Sequence, residues 1–260
     1  ITLESGGATY ELTRTAAPTG SPTAGPPSNS RARAAALVDL GDARVDPKRE
    51  WTILVYLDGD NNLEQFALSD LNELEAGLPD SGVEVIVLCD RAAGFCDADG
   101  DWQDARLYRI QRDSDAETVT SPILAQPGEL NMGDPRTLEA FVTGGLRAFP
   151  APRTALVMWN HGGGWSVLAS DDAAPGSKDG HDALSIGECA AAIGGGLEAA
   201  GVARLDLIGF DMCLMAQLET AVEVKDLAKV LVASQAIEPG DGWPYAEVLA
   251  QFGRGTLGTT

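Results

Sequence analysis

The 260-residue chain carries 39 acidic against 18 basic residues, a formal charge of −21, and 44% of its residues are hydrophobic. Such a field repels nucleic acid and anionic membrane surfaces and attracts cationic peptides or metal ions, although acidity also keeps a secreted protein soluble. The hydrophobic share suffices for one sizeable α/β domain plus a tail, or for two small domains.

No apolar run approaches the roughly 18 residues that a membrane helix needs. The chain opens at Ile1 without a charged-then-apolar signal segment, which reads as a mature or trimmed product. Cys89, Cys96, Cys189 and Cys213 are too scattered for a disulfide framework or a close zinc-binding pair. Cys89 and Cys96 alone are near enough for a local disulfide.

Residues 1–48 are rich in Ala, Thr, Ser, Pro and Gly and hold few large apolar groups to offset the entropy of ordering. They read as a disordered arm or propeptide-like linker, ending at a basic Lys48-Arg49 step. Folded character begins at residue 49 and runs to 260. Residues 51–57 are nearly all apolar, as in a buried parallel strand. The Asp58–Asn62 loop follows, then a helix carrying Leu63, Phe66, Ala67, Leu71 and Leu74 inward.

Further strands are predicted at 83–88, 105–110, 154–159, 205–210 and 229–234, and helices at 135–149, 185–200 and 214–227. The polar, Gly-rich stretch 166–183 reads as an exposed loop. Strands alternating with helices imply a mostly parallel sheet covered on both faces.

In such sheets, ligands bind beyond the carboxyl ends of the strands. His161 follows the fourth strand and Cys213 the fifth. Their separation of about 50 residues matches the His-then-Cys interval of caspase-like peptidases, although the caspase cysteine motif is absent. Three glycines after His161 allow close backbone approach and can aim an amide at an oxyanion. Cys213, between a strand and a predicted helix, is placed where helix N-terminal amides favour a thiolate. A thiol nucleophile needs an imidazole partner, and the chain has only two histidines. His181 and Cys189 lack the glycine context and read as structural. No GxGxxG follows the first strand, which disfavours a dinucleotide binder.

Four blocks then carry a resemblance: WTILVYLDGDNNLE at 51–64, WNHGGGW at 159–165, GFDMCLM at 209–215 and SQAIEPGDGWPY at 234–245. In this order over roughly residues 50–250, the chain resembles the clostripain-like cysteine peptidases. The resemblance implies a caspase-like α/β/α sandwich, His161 as general base and Cys213 as nucleophile. It also implies an oxyanion hole from the backbone N–H groups of Gly162 and Cys213.

Cleavage after Arg or Lys is implied too, with Asp211 and Asp241 as the acidic residues that hold the basic side chain through charge-assisted hydrogen bonds. The alternative readings are a helix N-cap for Asp211 and a turn residue for Asp241. Relatives are activated by self-cleavage between the His and Cys, which points to Lys178–Asp179. Calcium assists some relatives without being required for the chemistry, and Asp58–Asp60 and Asp97–Asp101 offer oxygen ligands, though neither is an EF-hand.

The expectation is a secreted or cell-surface endopeptidase acting on peptides or proteins with a basic P1 residue, without a nucleic-acid partner. The rival readings are an inactive peptide-binding relative and a thiol transpeptidase.

Overall fold

The computed structural model describes residues 2–5, 8–11 and 29–253. The arm reading of residues 12–28 and the chain end beyond Gly253 lie outside the described residues. In chain order the elements are an antiparallel hairpin of β1 (Thr2–Ser5) and β2 (Ala8–Glu11), α1 (Asn29–Val38), β3 (Trp51–Gly59), α2 (Glu64–Gly77), β4 (Val83–Arg91), β5 (Ala105–Arg109), β6 (Ile123–Gly128) and α3 (Pro135–Ala148). They continue with β7 (Arg153–Trp159), β8 (Leu168–Asp171), β9 (Asp182–Leu184), α4 (Ile186–Ala200), β10 (Leu205–Asp211), α5 (Leu218–Val224), β11 (Ala228–Val232) and α6 (Tyr245–Gly253).

Seven strands form one sheet in the order β11-β10-β7-β3-β4-β5-β6. The first five are parallel, and β5 and β6 finish the sheet antiparallel. The period-2 alternation of β3 shows why both faces are covered. Leu54 and Tyr56 enter a core with α1, α3 and α4 residues such as Leu37, Phe141 and Ile193, whereas Ile53, Val55 and Leu57 face α2 and α6 through Leu71, Leu74 and Leu249. The α/β/α sandwich with a mostly parallel sheet is therefore the fold.

Helix ends follow their local chemistry. Asp134 caps α3 ahead of Pro135, and Ser185 with Glu188 closes a reciprocal capping box on α4.

Four expectations change. First, residues 29–38 of the supposed arm are helical. Leu37 is fully buried, and a Cβ on Gly144 of α3 would lie 1.7 Å from the Leu37 carbonyl oxygen, so α1 docks backbone against backbone. The Arg33 guanidinium donates to the Glu129 carbonyl at 2.5 Å and the Arg44 N–H to that of Ala148 at 2.7 Å, which ties down the segment before residue 49. Small residues sufficed because the partner surface is glycine.

Second, 166–183 is not a plain exposed loop. It contains the β8–β9 hairpin, whose Leu168, Ala169, Asp171 and Leu184 are buried. Third, residues 123–128 form an extra edge strand, half-exposed and holding Pro127, which an edge tolerates. Fourth, the helix expected from 214 begins only at Leu218. The Leu214 and Ala216 amides donate instead to the carbonyls of Ala236 and Ser234, at 3.0 and 2.8 Å, so this backbone is spent on a neighbouring loop.

Since α1 closes the core over α3, Leu37→Ala is expected to lower unfolding free energy by about 2–4 kcal/mol in urea melts, the usual cost of a buried leucine. A change under about 1 kcal/mol would show that α1 is not part of the cooperative body.

Candidate active site

The strands β7 and β10 are parallel neighbours, and their last register pair is Trp159 opposite Asp211. His161 and Cys213 each stand two residues past that pair, on the same sheet edge. The loops that carry them are in contact: a Cβ on Gly162 would lie 2.2 Å from the Cys213 carbonyl oxygen and 3.1 Å from its nitrogen. No side chain other than hydrogen fits there. Gly164 adopts φ +70° beneath the Gln217 amide, which also excludes a side chain. The Gly163 N–H is committed to the Val167 carbonyl at 2.8 Å, and Gly162 is the glycine packed directly on Cys213.

The His161 ring lies at the surface, with Nε2 2.8 Å from Asn62 Oδ1 on the loop after β3. Partial desolvation pushes its pKa below the usual imidazole range, with Asp172 acting in the opposite direction, so the ring favours the neutral form that can accept a proton. Cys213 is half-buried, and the Glu238 N–H points at its Sγ at 3.4 Å. Among the described residues no hydrogen bond joins Sγ to the imidazole. The helix-dipole contribution expected at Cys213 does not apply, because Leu214 takes φ +65° and no helix starts before Leu218.

A cluster of carboxyls lies beside the thiol: Glu238, whose N–H faces Sγ, neighbours Asp211, and Asp211 neighbours Asp70. Asp211 is buried at the end of β10, where its Oδ2 accepts from the Trp243 N–H at 3.1 Å and the Tyr245 hydroxyl at 2.8 Å. It caps no helix; Gln217 occupies the N-cap of α5. Asp241 is exposed within a Pro239–Gly242 turn, so its turn reading is geometrically right.

Sequence reasoning missed three neighbours. Asp70, from α2, accepts from the Trp159 indole at 2.6 Å, and burial followed by repulsion from Asp211 pushes its pKa up to about 9. Glu238 accepts from the Trp243 indole at 3.2 Å, and burial raises its pKa, as it does for Asp211. Asn62 is the third. Nothing in α2's helical pattern marks Asp70, but Glu238 and Asn62 both lie inside blocks that carried the resemblance.

Lys178 is exposed between β8 and β9. His181 sits 3.4 Å from Asp172 at the surface. Cys89, Cys96, Cys189 and Cys213 are all free thiols, so the Cys89–Cys96 disulfide is absent here. Burial pushes Cys189 up to about 12, an inert thiol.

The two calcium candidates differ. Asp99 already accepts from the Trp102 indole and the Val119 amide. Asp58 belongs to a buried set with Asp60, Asp90, Glu129 and Asp171. Asp58 and Asp90 each keep one oxygen without a partner, as a cation site would. Among the described residues, however, no three such side chains are arranged to hold a metal ion.

A thiol and an imidazole carried by touching loops on the carboxyl edge of this sandwich match the architecture of a caspase-like cysteine peptidase. Comparison with known proteins agrees. The model of the Clostripain family matches residues 55–256, and the chain belongs to that family. Clostripain of Hathewaya histolytica is 30% identical over 228 residues, covering 78% of this chain and 42% of the relative.

A secreted C11 cysteine protease from Bacteroides thetaiotaomicron, solved with an irreversible peptide inhibitor, superposes with a TM-score of 0.63 at 25% identity. The match covers 77% of this chain and 53% of that one. An inactive zymogen C11 protease from Parabacteroides distasonis gives 0.60 at 20% identity, covering 79% and 54%. The chain thus spans about half the length of these relatives, or less.

The raised carboxyls make stability fall with pH. Asp70 near 9 and Asp171 and Glu129 near 8 hold protons in the folded state that the unfolded chain releases near 4. Their contribution is complete below about pH 4 and is lost as pH rises toward 8–9. Denaturant melts from pH 5 to 8 should therefore show declining stability, with a smaller decline in Asp70→Asn. Equal slopes in the two proteins would refute the assignment of Asp70 as a buried neutral acid.

Proposed function

We propose that the chain is the catalytic part of a secreted cysteine endopeptidase that cleaves after Arg or Lys. The observation that carries this reading is the close packing of Gly162 on the Cys213 backbone, beside a cluster of carboxyls. Sγ of Cys213 attacks the scissile carbonyl carbon, and His161 accepts the thiol proton. The C–N bond of the resulting tetrahedral adduct breaks as His161 hands that proton to the departing amine, leaving a thioester. Water, deprotonated by His161, then hydrolyses the thioester and restores the thiol.

The N–H groups of Gly162 and Cys213 stabilise the oxyanion of both adducts. No metal takes part in these steps. Asp211, packed against Gly242, and Asp241, the residue before that glycine, recognise the basic P1 side chain. Asp241 is exposed and can meet the cation first, and Asp211 anchors the loop that shapes the pocket. Secretion is supported by relatives described as secreted, and no described helix is long and apolar enough to cross a membrane.

Lys178 fits self-processing. It is exposed in the segment joining β8 to β9, it is basic, and an aspartate follows it. Cleavage at Lys178–Asp179 would satisfy the same P1 rule as substrate cleavage.

Fluorogenic peptides with P1 Arg, Lys, Asp or Leu test the proposal. Turnover is expected only for Arg and Lys, with Cys213→Ala reduced by at least a thousandfold and Asp241→Ala raising KM about tenfold or more. Mass spectrometry should find a cut after Lys178 that Lys178→Ala removes. Hydrolysis that survives Cys213→Ala would overturn the mechanism, and diversion of the acyl group to added amines in preference to water would make the protein a transpeptidase.

A further inference from the structure

We propose that Asn62 is a positioning residue for His161, a third member that turns the pair into a Cys213–His161–Asn62 array. This inference rests on the peptidase reading of the site. Asn62 Oδ1 is 2.8 Å from His161 Nε2. As an acceptor it holds the ring proton on Nε2 and leaves Nδ1 as the nitrogen that exchanges protons with thiol and leaving group. A neutral imidazole can serve as base only through its unprotonated nitrogen, so fixing the tautomer decides which side of the ring is active.

Topology makes the contact possible. β3 and β7 are parallel neighbours, with Leu57 opposite Trp159 in their last register pair. The loop after β3 therefore emerges beside the loop that carries His161, on the side away from Cys213, since β10 lies beyond β7. In this way three adjacent strands deliver Asn62, His161 and Cys213 in that spatial order.

The Asn62 backbone is anchored by its neighbour. Asn61 is buried, donates to the Ser170 carbonyl at 3.0 Å and the Asn160 Oδ1 at 3.3 Å, and receives the Leu63 amide at 2.8 Å. Asn61 thus binds the loop both to Asn160, the residue before the imidazole, and to the hairpin behind it. Asn62 is exposed, and among the described residues its side-chain hydrogen bond is to the imidazole. A residue whose job was to hold the loop would bond backbone, as Asn61 does. Asn62 holds the ring.

The distinction sets the test. On P1 Arg peptides, Asn62→Ala is expected to lose at least tenfold in kcat with KM within about twofold and an unchanged melting midpoint. Asn62→Asp keeps an acceptor and should recover most of the rate. Its added charge favours the imidazolium, so the acidic limb of the kcat/KM profile moves to higher pH.

Long-range proton–nitrogen NMR spectra of the full chain, with His161 assigned by the His181→Gln variant, should find the ring proton on Nε2. In Asn62→Ala the proton should be shared between the two nitrogens. Turnover of Asn62→Ala within twofold of the parent, or an unchanged tautomer, overturns the inference. A rate loss that Asn62→Asp neither recovers nor shifts in pH marks a purely structural role and overturns it as well. If the parent shows no Cys213-dependent turnover, the peptidase reading fails separately, and the tautomer measurement still decides whether Asn62 orients the ring.

Discussion

Everything at the site depends on the parallel register of β7 with β10. Trp159 and Asp211 are the last paired residues, so the two chains leave the sheet level with each other. His161 and Cys213 then have equal overhangs of two residues. Side chains alternate between faces along a strand, so a slip of one residue would bury the wrong set and misalign the overhangs together. The apolar alternation of the core thereby fixes the geometry of the chemistry. β3 extends the same logic by one strand, because its pairing with β7 brings the Asn61–Asn62 loop to the imidazole.

At the edge itself the constraint becomes steric. Gly162 has no room for a Cβ against Cys213, and Gly164 has none against Gln217. Glycine is usually a conformational liability, but here it allows two strand-end loops to touch through their backbones. That contact brings the Gly162 backbone against Cys213 without a helix. The backbone after Cys213 pairs with residues 234–236, so the thiol is flanked by loops from β10 and from the segment after β11. In the proposed mechanism the imidazole carries the proton transfer, and partial desolvation, which lowers its pKa, favours the neutral ring that can accept a proton.

The acidity has two distinct parts. Most carboxylates are on the surface, where repulsion is screened and solubility gains. A smaller group is buried at the carboxyl ends of β3, β4, β8 and β10: Asp58, Asp90, Asp171 and Asp211. Desolvation is the leading cause of the raised pKa in each. Where the shift is large, as for Asp171 at about 8, a retained proton lowers the cost of burial at the expense of stability in alkaline solution. Asp60 and Asp171 also join the loop after β3 to the β8–β9 hairpin, since the Asp60 carbonyl accepts from the Asp172 amide at 2.9 Å and its carboxyl from the Ala173 amide at 3.2 Å. The hairpin that carries Lys178 is thus fastened to the loop that carries Asn62.

The contrast between β3 and α1 shows what the sequence could and could not disclose. β3 was legible because a nearly continuous apolar run has few alternatives to a buried strand, and its neighbours in the sheet were legible for the same reason. The placement of His161 and Cys213 at neighbouring strand ends was legible because apolar runs and glycines announced those ends. α1 was not, because its Ala-rich sequence resembles a linker until Gly144 of α3 supplies a surface close enough to bury Leu37. The failed helix after Cys213 has a similar cause. Its residues have ordinary helical propensity, and only the tertiary partners at Ser234 and Ala236 divert them. Asn62, Asp70 and Glu238 went unmarked because their meaning lies in what other segments bring to them. Local periodicity records what a segment buries against the average core. A contact between two loops has no period, and so the parts of this site built by loop meeting loop required the fold to be seen.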